Sequence, residues 1–386
     1  ITIVDDEVTD NENTKVFRQI VQEKYGLKLK FISIKDGVAG QNQFAQMVAA
    51  GNPPDVFSVD EVTFLRYVCS NIAQPLDPYL AKSDPFWKEV DLSDYYFNNK
   101  TYGIPATWGL RVYMCVYNKT LFKEQKQKTP TELYKEGNWN FKTFLDAAKK
   151  MTIYRADGKT VQTYGVGTWN YALFMFANGG KGLSEKNGKL YASVDQKPEM
   201  GGLQLLHDLV AANAFYTGDS YIGFGRRRVA MHLEQPANAV GNYDYYNNME
   251  DEIGIVPLPM ANDGKYYAPK SAGGMIVPRN AKNPLGAVAF AYEMAKFDNN
   301  RFFNSTLDFD LMYRRMSISD EDLALYLDYR KKAVPLMSYM ESLSGWWDGG
   351  YRDKFWNTIV VDKKKPAEAV ASMKSVLESC ISRTTS

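Results

Sequence analysis

With 386 residues, 45% of them hydrophobic and 24% charged, the chain exceeds one ordinary core and suits two folded domains with no sign of disorder. Lys and Arg number 46 against 45 Asp and Glu, so the basic excess of a phosphate-holding chain is missing and nucleic acid is not an expected partner. Cys69, Cys115 and Cys380 form no CxxC pair, and no His is spaced for zinc; Cys69 and Cys115 lie in apolar runs and read as buried thiols, and no metal or cofactor is expected.

The chain opens on "TIV", a short buried strand ending in the acids Asp5, Asp6 and Glu7. A helix is predicted in "NTKVFRQIVQEKYG", with Val16, Phe17, Ile20 and Val21 on one face and Gly26 as its stop. "LKLKFISI" alternates as a strand with Leu27, Leu29 and Phe31 inward. A loop "DGVAGQ", a helix "QNQFAQMVAAG" and a strand "PPDVFSVD" ending at Asp60 follow. Strand and helix in strict alternation predict a parallel sheet with helices on its faces.

"YGIPATWGLRVYMCVYNKTLF" reads as a long extended segment. "NWNFKTFLDAAKKM" is a helix with Phe141, Phe144, Leu145, Ala148 and Met151 inward and Asn140 as N-cap. The uncharged stretch 160–180 is long enough for a membrane, but its Gln, Asn, Thr and Gly residues place it in a loop and helix of a soluble domain. Further helices are predicted in "PEMGGLQLLHDLVAANA", "PLGAVAFAYEMAKF", from Ser319 in "SDEDLALYLDYRKKAV", and in "PAEAVASMKSVLESC"; strands fall in "IGIVPLP" and "GGMIVPRN". The run Arg226, Arg227 and Arg228 in "GFGRRRVAM" has none of the preceding strand, long Gly-rich turn or Lys-Ser/Thr of a phosphate loop, and reads as a solvated turn.

Four of these segments together resemble the solute-binding proteins of bacterial ABC importers, in particular the carbohydrate-binding, maltose-binding-protein-like group. They are "MVAAGNPPDVFSVD", the extended segment ending in "YNKTLF", "NWNFKTFLDAAKKMT", and "FGRRRVAM" followed by "IGIVPLP" and "SAGGMIVPRNAKNPLGAVAFAYEMAK". The resemblance implies an α/β, two-lobed periplasmic-binding-protein-like fold, each lobe a mixed, mostly parallel sheet flanked by helices, with ligand in the cleft between. It places lobe one at 1–112 and 272–315 and lobe two at 113–271 and 316–386, with crossings near 110–116, 268–274 and 312–318. It further implies a monomer that delivers its ligand to an ABC permease. The setting implied is extracytoplasmic: periplasmic, or anchored as a lipoprotein, with the signal segment absent from this chain.

A sugar presents hydroxyls and an apolar C–H face, so its site needs flat aromatics and bidentate polar groups. The chain is 14% aromatic, and position selects Trp108 in the crossing segment, Trp169 and Tyr171 in "GTWNYALF", and Trp346 and Trp347 in "SLSGWWDGGYR". Trp87, Trp139 and Trp356 read as packing residues. Polar candidates come from strand ends: Asp5, Glu7, Asn42, Asp60, Arg111, Glu234, Gln235 and Asn238, with Gly273 and Gly274 offering bare backbone. Arg111 and Arg352 would suit an anion, and the acids a cation, which leaves a polyamine, an anion or a peptide as the alternative ligand. No nucleophile motif accompanies His207 or His232, so the chain reads as a binding protein and not an enzyme; a carboxylate pair for glycoside hydrolysis is the remaining catalytic alternative. The Tyr- and Asn-rich loop 241–250 matches nothing in the family.

Overall fold

The structure is a computed structural model and describes residues 1–5, 12–35, 37–81, 84–89, 92–236, 249–299 and 318–385. Its first part runs β1 (Thr2–Asp5), α1 (Glu12–Tyr25), β2 (Lys30–Ser33), α2 (Gly37–Ala49), β3 (Val56–Val59), α3 (Phe64–Cys69) and β4 (Gly103–Val112). The second contains β5 (Met114–Asn118), α4 (Phe141–Lys150), β6 (Val161–Gly167), α5 (Lys197–Ala211), β7 (Phe215–Tyr216), α6 (Ser220–Gly225), β8 (Val229–Glu234) and β9 (Ile253–Val256). Then follow β10 (Tyr267–Ile276), α7 (Pro284–Asn299), α8 (Asp320–Lys332), β11 (Val334–Leu336), α9 (Tyr351–Val360) and α10 (Pro366–Thr385).

Two mixed sheets result. In the first, the order is β11-β10-β3-β1-β2, with β4 also on β10. β1 runs parallel to β2 and β3, while β10 is antiparallel to β3 and β4. In the second, the order is β7-β6-β8-β5-β9, where β6 runs parallel to β7 and β8, and β5 is antiparallel to β8 and β9. The antiparallel pairs of the first sheet all involve β10, which follows β9 of the second sheet in the chain. Every residue of β5, β8 and β9 is buried, so β5 and β9 read as near-continuous apolar runs, while β8 carries His232 and Glu234 into the interior.

The helices close over the sheets as their sequences require. Asn140 accepts hydrogen bonds from the amides of Lys142 and Thr143 and caps α4, which buries Phe141, Phe144 and Ala148. Trp139 and Trp356 are core residues, and Trp139 Nε1 donates to the Pro257 carbonyl at 2.7 Å. The three arginines form an exposed turn between α6 and β8, with Arg227 at φ 57° and its guanidinium on Glu124 and Asp251. Cys69, Cys115 and Cys380 are free thiols. No described helix is long and apolar enough to cross a membrane.

Four expectations need correction. Ile20 is 38% exposed, because the buried line of α1 runs through Phe17 and Val21, one turn apart, and Ile20 lies at its edge. α2 begins at Gly37, so residues 37–41 of the stretch taken as a loop before Asn42 are helical. Only Lys30–Ser33 of the second predicted strand pairs, with Leu27 and Leu29 packed against the core beside it. The first half of stretch 160–180 is the strand β6, not a loop.

α4 lies so close to β6 that a Cβ on Gly165 would fall 1.9 Å from the Ala148 carbonyl oxygen. Gly165→Ala should therefore destabilise the protein by on the order of 1–3 kcal/mol or more through backbone displacement. Denaturant unfolding of the variant checks this; a midpoint equal to that of the wild type would show that the helix can move away freely.

Candidate functional site

β6 and β8 are parallel neighbours, with Met231 beside Val166 and His232 beside Gly167. Their C-terminal ends therefore emerge together, where open α/β sheets hold ligands. The Thr168 hydroxyl donates to the Leu233 carbonyl at 3.0 Å and pins the first residue of the loop leaving β6. Trp169 comes next, beside Glu234 at the end of β8. Glu234 is 0% exposed, and its Oε2 accepts both the Trp169 indole N–H, at 2.5 Å, and the Tyr221 hydroxyl. Its Oε1 accepts the Gln235 amide at 2.7 Å. Burial pushes the Glu234 carboxyl up to about 7, and the Tyr221, Gln235 and Trp169 hydrogen bonds oppose that rise.

Trp169 is held by its edge yet remains 41% exposed. With Gly218, Asp219, Ser220 and Tyr221 it lines a depression of about 410 Å³. Asp219 caps α6 by accepting from the amides of Tyr221 and Ile222, which fixes the Tyr221 backbone. An indole supported by a buried carboxylate beside a phenol offers a firm apolar face next to hydrogen-bonding groups.

The phenols of three further tyrosines are buried in the molecule, one of them within reach of Glu234. Tyr113, between β4 and β5, is buried. Burial drives its phenol far above the ordinary range, Glu234 and Glu61 add to the rise, and Asn170 and Gln235 oppose it. Tyr95 donates to the Gly273 carbonyl at 2.7 Å, and Tyr339 to that of Asp94. Residues 338–348 pack on α3 and the turn before it: Ser342 Oγ donates to the Glu61 carbonyl at 2.7 Å, Arg66 Nε donates to the Ser342 carbonyl at 3.4 Å, and the Phe64 and Tyr339 rings lie 5.1 Å apart.

Of the residues selected from sequence, Trp169 and Glu234 are joined directly. Trp347 and Arg352 form a second group: Trp347 is 44% exposed, the guanidinium lies 4.5 Å over its ring, and Arg352 pairs with Glu341 and Asp353. Trp346 is a correction, for it is 0% exposed and packs on Phe355, leaving no open ring face. Tyr171 is half-buried and packs edge-on against Phe215 and Trp356. Asp60 holds the turn before α3, its Oδ1 accepting from the amides of Val62 and Thr63 and from the Thr63 hydroxyl. Gly273 lies on β10 opposite Ala106, and Asn42 is exposed on α2. At Asp5, Trp108 and Arg111 the strand backbone is described but the side chain is not. Glu7, Asn238 and positions 241–248 lie outside the described residues.

Sequence reasoning missed Tyr113, Tyr221, Tyr95 and Tyr339. Tyr221 carried one signal, its place just inside a helix that Asp219 starts; the others look like ordinary core aromatics. His232 shares a 3.1 Å hydrogen bond with Ser220, which has the outline of a nucleophile and base. Burial, however, depresses the imidazole to about 3 and leaves it too weak a base for that role.

A sequence profile described as "Bacterial extracellular solute-binding protein" matches residues 10–296. Among solved structures, the chain is similar to the cyclic alpha-maltosyl-1,6-maltose binding protein of Arthrobacter globiformis, at 14% identity and a TM-score of 0.71, over 99% of each chain. It is similar to the sugar-binding protein MalE of Xanthomonas citri at 12% identity and a TM-score of 0.71, over 99% of this chain and 97% of that one. UgpB of Mycobacterium tuberculosis, solved in complex with glycerophosphocholine, matches at 14% identity and a TM-score of 0.68, over 100% and 99%. At these identities the likeness is one of fold.

The buried histidine gives a pH test. Held neutral down to about 3, His232 contributes stability that is full above the unfolded value near 6.5 and is lost as pH falls toward 3. Glu234, raised from 4.5 to about 7, works in the opposite sense: its contribution is full below 4.5 and is lost as pH rises through 7. Comparison of the wild type with His232→Gln isolates the first effect. Between pH 6.5 and 5 the wild type should lose about 1.4 kcal/mol per pH unit relative to the variant in chemical unfolding. A constant difference would mean that the histidine is protonated in place.

Proposed function

The chain belongs to the bacterial extracellular solute-binding protein family, and we propose that its solute is a carbohydrate, an oligosaccharide, which it delivers to the permease of an ABC importer. The observation that carries this reading is Trp169, an indole anchored by Glu234 with its ring open to a depression beside Tyr221. Sugars stack their C–H faces on such rings. The charges around the site favour an uncharged ligand, since Asp94 is paired with Lys270 and Glu341 with Arg352. Tyr95, Tyr113 and Tyr339, their phenols held neutral by burial, supply donors and acceptors suited to hydroxyls.

In the lobe division that accompanies this reading, 1–112 and 272–315 close on 113–271 and 316–386. Ligand that touches both lobes shifts the equilibrium toward the closed form, and closure presents a composite surface to the permease. The protein acts as a monomer, held outside the cytoplasmic membrane in the periplasm or by a lipoprotein anchor. A second reading rests on the same residues, because an indole and a phenol beside a carboxylate also suit an organic cation.

A thermal-shift panel of mono- and oligosaccharides, with choline, glycerophosphocholine, polyamines and amino acids as controls, separates the two. At ligand a hundredfold above Kd, the true solute should stabilise the fold by about 2.7 kcal/mol. Trp169→Ala should then weaken binding of that solute by tenfold or more, on the order of 2 kcal/mol, as measured by calorimetry. A response to cations alone would replace the sugar reading with the second one; an unchanged Kd in Trp169→Ala would remove the indole from the site.

A further inference from the structure

The side chains around the Trp169 depression differ in how much hydrogen-bonding capacity the fold leaves them. The depression is lined by Trp169, Gly218, Asp219, Ser220 and Tyr221. The indole has one hydrogen to donate, and Glu234 Oε2 takes it at 2.5 Å. The same oxygen takes the Tyr221 hydroxyl hydrogen. Ser220 is buried, and its hydroxyl is turned to His232 at 3.1 Å. Asp219 is different. Its Oδ1 accepts the amides of Tyr221 and Ile222, each at 3.0 Å, whereas Oδ2 has no hydrogen-bond or ion-pair partner among the described residues. Two amides on one oxygen fix the orientation of the carboxylate, because a turn of the side chain would undo the cap of α6. Asp219 is itself exposed, so its second oxygen is held in place at an open rim. With the indole and phenol hydrogens both committed to Glu234, the accessible side chains here offer an acceptor and no unspent donor.

We propose that Asp219 is a specificity-determining residue: its Oδ2 accepts the hydrogen of a sugar hydroxyl while the C–H face of that sugar lies on Trp169. This rests on the reading of Trp169 as a wall of the ligand site and of the solute as a carbohydrate. Equatorial hydroxyls project from the edge of a sugar ring while its C–H bonds face the indole, so one sugar unit meets both contacts. The orientation of Oδ2 is fixed before the solute arrives, which removes the cost of ordering it on binding. The same oxygen selects against an anion, since two acceptors with no hydrogen between them repel.

The test separates this contact from the capping role of the same residue. Asn and Ser cap helices about as well as Asp, so Asp219→Asn and Asp219→Ser should unfold in denaturant at the wild-type midpoint. Neither keeps a second carboxylate oxygen: the first variant puts an amide nitrogen there, and the second leaves the position empty. For a sugar that stabilises the wild type in the thermal-shift panel, calorimetry should give a Kd at least about tenfold weaker in both variants. Monodeoxy analogues of that sugar identify the hydroxyl. One of them should bind the wild type at least about tenfold more weakly than the parent sugar does, yet bind Asp219→Asn as well as the parent does. An unchanged Kd in both variants would overturn the proposal. So would a weaker Kd accompanied by a lowered unfolding midpoint, or deoxy and variant losses that multiply independently. Failure of the carbohydrate reading looks different and comes earlier: no sugar in the panel shifts the unfolding of the wild type.

Discussion

The crossing strand β10 is the constraint on which the two-lobed arrangement depends. Its first three residues pair with β11, and the Pro269 carbonyl accepts the amide of Tyr113 where the chain passes from β4 to β5. Its later residues run antiparallel to β4 and β3 in the same sheet. Two backbone passages between the two sheets are thus tied side by side. Gly273 and Gly274 make the ribbon thin at this point: a Cβ on Gly274 would lie 2.3 Å from the Tyr95 ring. Tyr95 can lie against the bare strands only because Gly274 on β10 and Gly103 on β4 lack side chains. From Tyr95 a line of rings continues through Phe64, at 5.1 Å, to Tyr339, at a further 5.1 Å, and so reaches the segment that packs on α3.

Much of this fold could be read in the sequence because its signals are local. Asn140 stands next to the amides it caps, and the buried face of α4 repeats at helical spacing over a few residues. The arginine turn could be rejected as a phosphate loop from its immediate neighbours alone. The errors occurred where local pattern was weak. The start of α2 lies in a Gly-containing stretch that propensity assigns to a loop, and packing of Phe44 on Phe57, with ring centroids 3.6 Å apart, overrides that preference.

The site was less legible because its partnerships are distant in sequence. Trp169 and Glu234 were each chosen as strand-end residues, but nothing in the chain links them across 65 positions. Their meeting follows from the parallel pairing of β6 with β8, which sequence suggests only as a fold class. Trp346 and Trp347 show the limit from the other side. Adjacent residues in a turn point in different directions, and composition cannot say which indole enters the core and which remains at the surface. Tyr113 and Tyr339 went unnoticed because a buried phenol in a cleft and one in a core have the same sequence signature.

Structural similarity at 12–14% identity is what this division of labour predicts. The fold requires only that apolar residues recur at the right spacing and that turns fall at the right places, conditions that many sequences meet. Ligand choice in such a fold depends on a few side-chain ends and on how each nearby charge is paired. Lys270 with Asp94 and Arg352 with Glu341 illustrate the point. Removal of one partner would leave a charge facing the cleft, and the same backbone would then favour an ion over a neutral solute. The scaffold can therefore persist across relatives whose ligands differ, since the lobes and their crossing strands are indifferent to which charges are paired. In this chain the buried Glu234 lies behind the exposed indole and supports the ring by its edge.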